Sequence, residues 1–410
     1  MKTVGIIVEF NPFHNGHKYL IDKAKKVTKA DNVIVVCSGN FVQRGMPSFF
    51  DKSIRTKAAL LNGVDVVLEL PVMYATASAE TFAASAVRLL DKLNCVDYLC
   101  FGCETDNIKA LPIVADILLK EPEDYKNMLS VYLKNGFSYP KARAKALTDY
   151  CNENHILSEY IVNQMIGQAN NILAIEYLKA LKNFHSSMKP LAIKRTGSSY
   201  HSDVLDNTFA SATGIRKAIR NKQSIKDFIP DNCVNLYPIH EENSQYMELN
   251  DFSRILGCQL IHNKDFTKYY DISQDLSNRI QHFTSQFTDI DSFIEQLQSK
   301  NYTYSGISRI LCHILLNIHQ TDMNEFIAHD YFDFVRVLGF RKQNKIISKI
   351  KSQSSLELIG KFSSYYNRST GIARRMLDIN MSADALYRMV YMNKYNEQLP
   401  TEFERQICIL

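Results

Sequence analysis

Short apolar runs alternate with amphipathic stretches through the first hundred residues. Val4–Val8 is an apolar run, and the turn-rich segment Asn11–Gly16 follows it. Lys18–Lys26 has helical spacing, with Tyr19, Leu20 and Ala24 on one side. Val33–Cys37 is apolar throughout, which predicts a strand buried on both faces. A helix is predicted near Asp51–Asn62, a third strand over Val64–Leu70 ending at Pro71, a helix over Ser78–Leu93 and a fourth strand over Tyr98–Phe101. This β-α-β-α order implies a parallel sheet with right-handed crossovers. Ligands of such sheets bind beyond the carboxyl ends of the strands. Chemistry is therefore expected in the segments Glu9–His17, Ser38–Arg44, Glu69–Pro71 and Gly102–Glu104.

The following stretch, 107–190, reads as largely helical, and Leu191–Lys194 as a further strand. Ser211–Ile219 starts another helix, with Ser211 or Thr213 available as its cap. Ile229–Pro230 and Tyr237–Pro238 interrupt the pattern. Beyond them the periodicity is helical, as in Ile307–Ile318, Ile346–Ile350 and Ala383–Tyr391. The expected fold class is α/β: a Rossmann-like nucleotidyltransferase domain with a parallel sheet over residues 1–225, then a mainly α-helical, basic domain over 226–410.

Composition narrows the class. Hydrophobic residues make up 46% and charged residues 22% of the 410, which excludes a mostly disordered chain. No apolar run approaches the roughly 18 residues of a membrane span, so no membrane partner is expected. Glu9 interrupts the apolar N-terminus and no small-residue cleavage site follows. The chain thus reads as a cytoplasmic protein starting with a buried strand. Nine scattered cysteines, mostly in apolar contexts, suggest reduced core thiols. Cys100 and Cys103 form a lone Cys-x-x-Cys with no second pair at zinc spacing. The net charge of +5 is unevenly placed: Arg336 to Arg375 holds ten Lys or Arg against one acid, Glu357. Such a block suits either a polyanionic partner or a solvated helix face.

The sharpest local signal is Asn11-Pro12-Phe13-His14-Asn15-Gly16-His17, directly after the first strand. Two histidines three apart at a helix start can aim both rings one way. Asn15 can cap, and Gly16 lets a base or phosphate near the backbone. The helix N-terminus adds partial positive charge. This suits stabilisation of negative charge developing on a nucleotide α-phosphate. A zinc site, or two core histidines, are the competing readings. Neither a Walker loop nor Gly-x-Gly-x-x-Gly occurs. Later, Ser211-Ala212-Thr213-Gly214-Ile215-Arg216 combines hydroxyls, a helix start and a guanidinium, which together can hold β- and γ-phosphates.

The motif belongs to the His-x-Gly-His class of α/β nucleotidyltransferases, which attack the α-phosphate of ATP with pyrophosphate leaving. Further segments narrow the resemblance: Gly5–His17 as a whole, Ser38–Gly45, Glu69-Leu70-Pro71, Phe101-Gly102-Cys103-Glu104, Asn170-Asn171-Ile172-Leu173 and Arg195-Thr196-Gly197-Ser198-Ser199-Tyr200-His201. In this order they resemble the bacterial tRNA(Met) cytidine acetate ligase family, with a weaker continuation at Val337–Phe340. The resemblance implies an ATP-dependent ligase. Acetate attacks the α-phosphorus to give acetyl-adenylate. The N4 amine of the wobble cytidine of elongator tRNA(Met) then takes the acetyl group, forming N4-acetylcytidine.

The resemblance also implies that the nucleotide lies along Ile7, Val8, Glu9, Phe10, Asn11, Pro12, Phe13, His14, Asn15, Gly16, His17, Lys18, Tyr19 and Leu20. Gly102, Asn170 and Arg195 are further contacts, beside Ser211, Thr213 and Arg216, and His14 and His17 are the catalytic pair. Gly102 would allow close approach, Asn170 would read adenine through paired donor and acceptor groups, and Arg195 would neutralise phosphate. Mg²⁺ is expected with ATP. Asn40, Gln43 and Arg44 are candidates to face acetate or cytidine. The basic block is a candidate tRNA surface, with Phe362, Tyr365 and Tyr366 able either to stack an extruded base or to fill core. The segment Asn301–Arg309 departs from the family by being less basic. Two rival readings remain: an adenylyltransferase that makes a cofactor from ATP and a phosphorylated small molecule, and a non-catalytic RNA-binding protein.

Overall fold

The computed structural model describes residues 1–195, 209–239, 244–343 and 345–410. The strands, in chain order, are β1 (Thr3–Val8), β2 (Asn32–Ser38), β3 (Phe41–Val42), β4 (Met46–Pro47), β5 (Val66–Leu70), β6 (Tyr98–Cys103), β7 (Lys189–Lys194), β8 (Phe334–Phe340), β9 (Glu357–Ile359) and β10 (Cys408–Ile409). Five of them form a parallel array in the order β5-β2-β1-β6-β7. β2 and β5 are buried along their whole length, as apolar runs between two helical layers must be. Helices α1 (Asn15–Thr28) and α2 (Lys52–Leu61) connect the first three array strands, and the helices between 110 and 183 fill the passage from β6 to β7.

The second half is mainly helical, as expected, but also carries strands. Phe334–Phe340 is a strand, not a helix, and it pairs antiparallel with β5 in the same sheet. β9 and β10 then flank β8 in parallel. The run Phe-Val-Arg-Val-Leu-Gly-Phe carries strand-forming residues, yet short apolar runs do not separate strand from buried helix by periodicity alone. The core is continuous across the expected boundary near 225: one apolar cluster runs from Ile34 through Phe252, Ile307 and Val335 to Tyr391.

A buried ion cluster joins the two halves. Lys52, at the start of α2, is 1% exposed, and its Nζ contacts Glu69 at 2.7 Å, Asp384 at 2.6 Å and Glu402 at 3.1 Å. Arg336 of β8 pairs with Glu402 and, at 3.3 Å, with Glu69. Arg405 grips both oxygens of Asp51 at 2.7 and 3.0 Å. Burial raises the proton affinity of Asp51, but the Arg405 fork overrides it and holds the carboxyl well below its usual range.

Two candidate roles from the sequence change here, and one open alternative is decided. Arg336 belongs to this interior cluster and cannot bind tRNA. Tyr365 and Phe362 are buried, with Tyr365 against Phe334 and Phe362 stacked on Tyr366, so this aromatic group is packing. Asn40 is buried, its amide donating to Asp51 and Asp384, so it faces neither acetate nor cytidine. The Cys100 and Cys103 thiols are buried and unpaired, and all nine cysteines are free.

Candidate active site

The sheet order reverses at β1. β2 and β5 lie on one side of it, β6 and β7 on the other, which opens a crevice at the carboxyl ends of the strands. The Asn11–His17 turn sits at that point. The cleft has about 1120 Å³ of open space. Its wall includes Ile7, Val8, Glu9, Phe10, Asn11, His14, His17 and Leu20 from β1 and α1, Gly102 from β6, Asn170 from the helix Ala169–Asn183, then Arg195, Ser211, Thr213 and Arg216. Residues as far apart in the chain as Ile7 and Arg216 thus meet in one place.

The local geometry defines the state of both imidazoles. His14 is the N-cap of α1, and its Nδ1 accepts the Gly16 N–H at 3.1 Å. The Nδ1 of His17 accepts the His14 N–H at 3.3 Å. This is a capping box made of histidines. With each Nδ1 lone pair occupied, the ring proton of a neutral imidazole resides on Nε2, and both rings present Nε2–H donors. The rings lie 3.8 Å apart between centroids. Burial lowers the His14 pKa to about 3, helped by Arg195 and Arg216. Burial, then His14 and Arg195, push His17 well below its usual value. Both are therefore neutral near pH 7. His14 also replaces Asn15 as the cap: Asn15 instead donates to the Asp227 carbonyl at 2.9 Å.

Two glycines make room for these groups. A Cβ on Gly16 would lie 2.9 Å from the His14 ring. A Cβ on Gly102 would lie 3.2 Å from the Arg195 side chain. Gly16 thus leaves room for the His14 ring, and Gly102, itself in the cleft wall, leaves room for the Arg195 side chain. Arg216 donates to the Asn11 carbonyl at 2.7 Å and to Thr213 Oγ1 at 3.2 Å, while Ser211 caps its helix through Gly214 N–H at 3.0 Å. Asn170 donates one amide hydrogen to Glu104 at 2.6 Å, which leaves its oxygen and second hydrogen for a ligand.

The remaining residues of the Ile7–Leu20 stretch stand outside the cleft wall. Phe13 is fully buried against Phe10 and His17. Lys18 pairs with Asp22 at 2.9 Å on the outer face of α1, and Tyr19 packs edge-on against Phe209. Pro12 forms the cis peptide with Asn11, and Gly16 lies behind the His14 ring. The segment 196–201 of the Arg195–His201 match lies outside the described residues.

Sequence reasoning missed the apolar part of the cleft wall: Val42, Met46, Phe82, Phe101, Leu173 and Tyr177. The spacing Asn170, Leu173, Tyr177 on one helix face was its readable signal. Arg55 was also missed. Fully buried, it donates to the carbonyls of Glu9 at 2.6 Å, Ser38 at 3.0 Å and Phe50 at 3.1 Å, and to that of Gly39. It ties together the ends of β1 and β2, and no local pattern announces it.

A strand, a capped pair of neutral imidazoles at the switch point and two guanidinium groups define a nucleotidyltransferase cleft. The family described as HIGH Nucleotidyl Transferase matches residues 1–402. The tRNA(Met) cytidine acetate ligase of Thermoanaerobacter sp. (strain X514) is 41% identical over 397 residues, 96% of each chain. That of Acetivibrio thermocellus is 37% identical over 426 residues, covering all of both chains. The crystal structure of Thermotoga maritima TmcAL without ligand superposes with a TM-score of 0.92 at 30% identity over the full length of both chains. The same protein bound with alpha-thio ATP gives 0.90. The chain belongs to the tRNA(Met) cytidine acetate ligase family, and is a ligase.

Proposed function

We propose that this protein couples ATP cleavage to acetylation of tRNA(Met), forming N4-acetylcytidine at the wobble cytidine of the elongator tRNA. The observation that carries the reading is the pair of Nε2–H donors on His14 and His17 in a cleft that also holds Arg195 and Arg216. In the first step an acetate oxygen attacks the α-phosphorus and pyrophosphate leaves, giving acetyl-adenylate. Charge accumulates on the α-phosphate oxygens in that transition state. Neutral donors fixed in place stabilise it without reorganisation, typically about 10²–10³-fold per donor. Arg216, Ser211 and Thr213 hold the β- and γ-phosphates, Arg195 neutralises phosphate charge, and Gly102 and Asn170 border the nucleoside end. Among the described residues no group of three His, Cys, Asp or Glu side chains can hold a metal. Mg²⁺ bound with ATP would balance the charge of the triphosphate.

In the second step the cytidine amine attacks the acetyl carbonyl and AMP departs. Contact with the tRNA falls to only part of the basic block. Arg341 donates its backbone N–H to Asp65 at 2.9 Å, and Lys349 reaches the Met1 carbonyl at 3.2 Å. These anchors place Arg341–Lys351 at the amino ends of the parallel strands, opposite the cleft. Arg368, Arg374 and Arg375 are on the helices near Phe362–Arg368 and Gly371–Tyr395, and the latter helix touches the carboxyl side of β5 through Asn380 and Val72. These three are the better candidates. Pyrophosphate release from ATP, measured with acetate and tRNA(Met) separately and together, tests the reading. Acetate-dependent release supports it. Release that instead requires a phosphorylated small molecule points to the cofactor-forming alternative.

A further inference from the structure

Amide formation leaves one proton to be placed. The N4–C bond forms at the acetyl carbonyl, the C–O bond to AMP breaks with its electron pair on the phosphate, and one hydrogen of the amine must leave as a proton. The histidines are poor acceptors, because each Nδ1 already takes a backbone N–H and each Nε2 carries the ring proton. Burial, and then the charge of Glu9, push the Tyr177 phenol far above neutrality, so it stays protonated.

We propose that Glu9 takes the proton of the cytidine amine as the acetyl group is transferred, an inference that rests on the function proposed above. Glu9 follows the last residue of β1, beside the histidine turn, and is the one carboxylate among the described residues of the cleft wall. Its Oε1 accepts the Gln43 N–H at 2.6 Å, which fixes the group's orientation. Its second oxygen has no hydrogen-bond or ion-pair partner among the described residues. The 5%-exposed side chain of Tyr177 reaches the same cleft, and its hydroxyl likewise has no partner among those residues. A carboxylate with one oxygen anchored and one open has the geometry of a general base.

Burial raises the Glu9 pKa, opposed by the Gln43 N–H and by Arg44, Arg55 and Arg216. A bound triphosphate would add to that rise by like-charge repulsion. Departure of pyrophosphate removes most of this charge before the amine attacks. In that state the carboxylate form of Glu9 can take the amine proton and pass it on to water.

Glu9→Gln is the informative variant, since its amide oxygen can still accept from Gln43 N–H. Two rates are compared in full-length protein: acetate-dependent exchange of labelled pyrophosphate into ATP, and single-turnover acetylation of tRNA(Met). The proposal expects transfer to fall about 10²-fold or more relative to exchange, with Glu9→Asp retaining more transfer than Glu9→Gln. Equal losses in both rates would assign Glu9 to nucleotide or acetate binding and overturn the proposal. So would unchanged transfer, or Gln outperforming Asp, the order expected of a purely structural anchor. Wild-type protein without acetate-dependent exchange would remove the underlying function, and this step with it.

Discussion

Two regions of this molecule bury ionisable groups, and they do so in opposite ways. Around Lys52 the charges answer one another: Glu69, Asp384 and Glu402 surround the ammonium, and Arg336 and Arg405 close the outer side. In the cleft, His14 and Tyr177 are buried and His17 and Glu9 half-buried, but their Nε2–H groups, one carboxylate oxygen and the hydroxyl have no hydrogen-bond partner among the described residues. Burial of charge therefore does not by itself mark a reactive site. The distinction lies in where the partner is. A cluster satisfied from within holds the two halves of the chain in register, whereas a cluster with vacant donors awaits a ligand of matching charge. Perturbed titration occurs in both and cannot separate them.

The sharpest way to break this comparison is to remove the hub of the first region. Lys52→Met leaves three buried carboxylates short of a cation, at an expected cost of about 3–5 kcal/mol. Denaturant unfolding measures it, and a loss below about 1 kcal/mol would mean that the cluster is solvated and not a junction. The matching substitution in the cleft is His17→Ala. Adenylate formation should fall about 10²–10³-fold while ATP affinity changes only a few-fold. Isotope exchange with a parallel ATP titration reads both, and a pure affinity effect would contradict the transition-state role.

A smaller effect concerns acid. The folded pKa of His14, about 3, lies below the ordinary unfolded value near 6.5. Between these limits the unfolded chain binds a proton that the folded chain refuses, so stability is full above pH 6.5 and is lost as pH falls. His14 should account for about 2 kcal/mol of loss between pH 6.5 and 5. His14→Asn keeps a capping side chain and should show a correspondingly shallower acid decline in unfolding free energy. Equal declines would place the His14 ring in contact with water.

The strands β1, β2, β5, β6 and β7 and their connecting helices follow the hydrophobic pattern closely, because period and burial are local properties of a run. The histidine turn was equally legible, since capping involves residues three apart. β8 was not: Phe334–Phe340 has the length and apolarity that a buried helical turn also has, and only its pairing with β5 distinguishes the two. One member of the basic block was misplaced for a related reason. Arg336 and Arg374 look alike in a list of charges, but one pairs inside the sheet with Glu402 and the other stacks on Tyr366 at the surface.

Taken alone, then, the order of residues determined a β-α nucleotide-binding half, a histidine-capped helix after its first strand and membership in a class of ATP-cleaving enzymes. Tertiary structure decided which guanidinium groups reach the histidines, which carboxylate stays open and which basic residues remain outside. The physical reason is range. Caps and periodicities depend on neighbours within a turn or two, whereas the partner of a buried charge is chosen by packing between segments as distant as Lys52 and Glu402. No local pattern contains that choice.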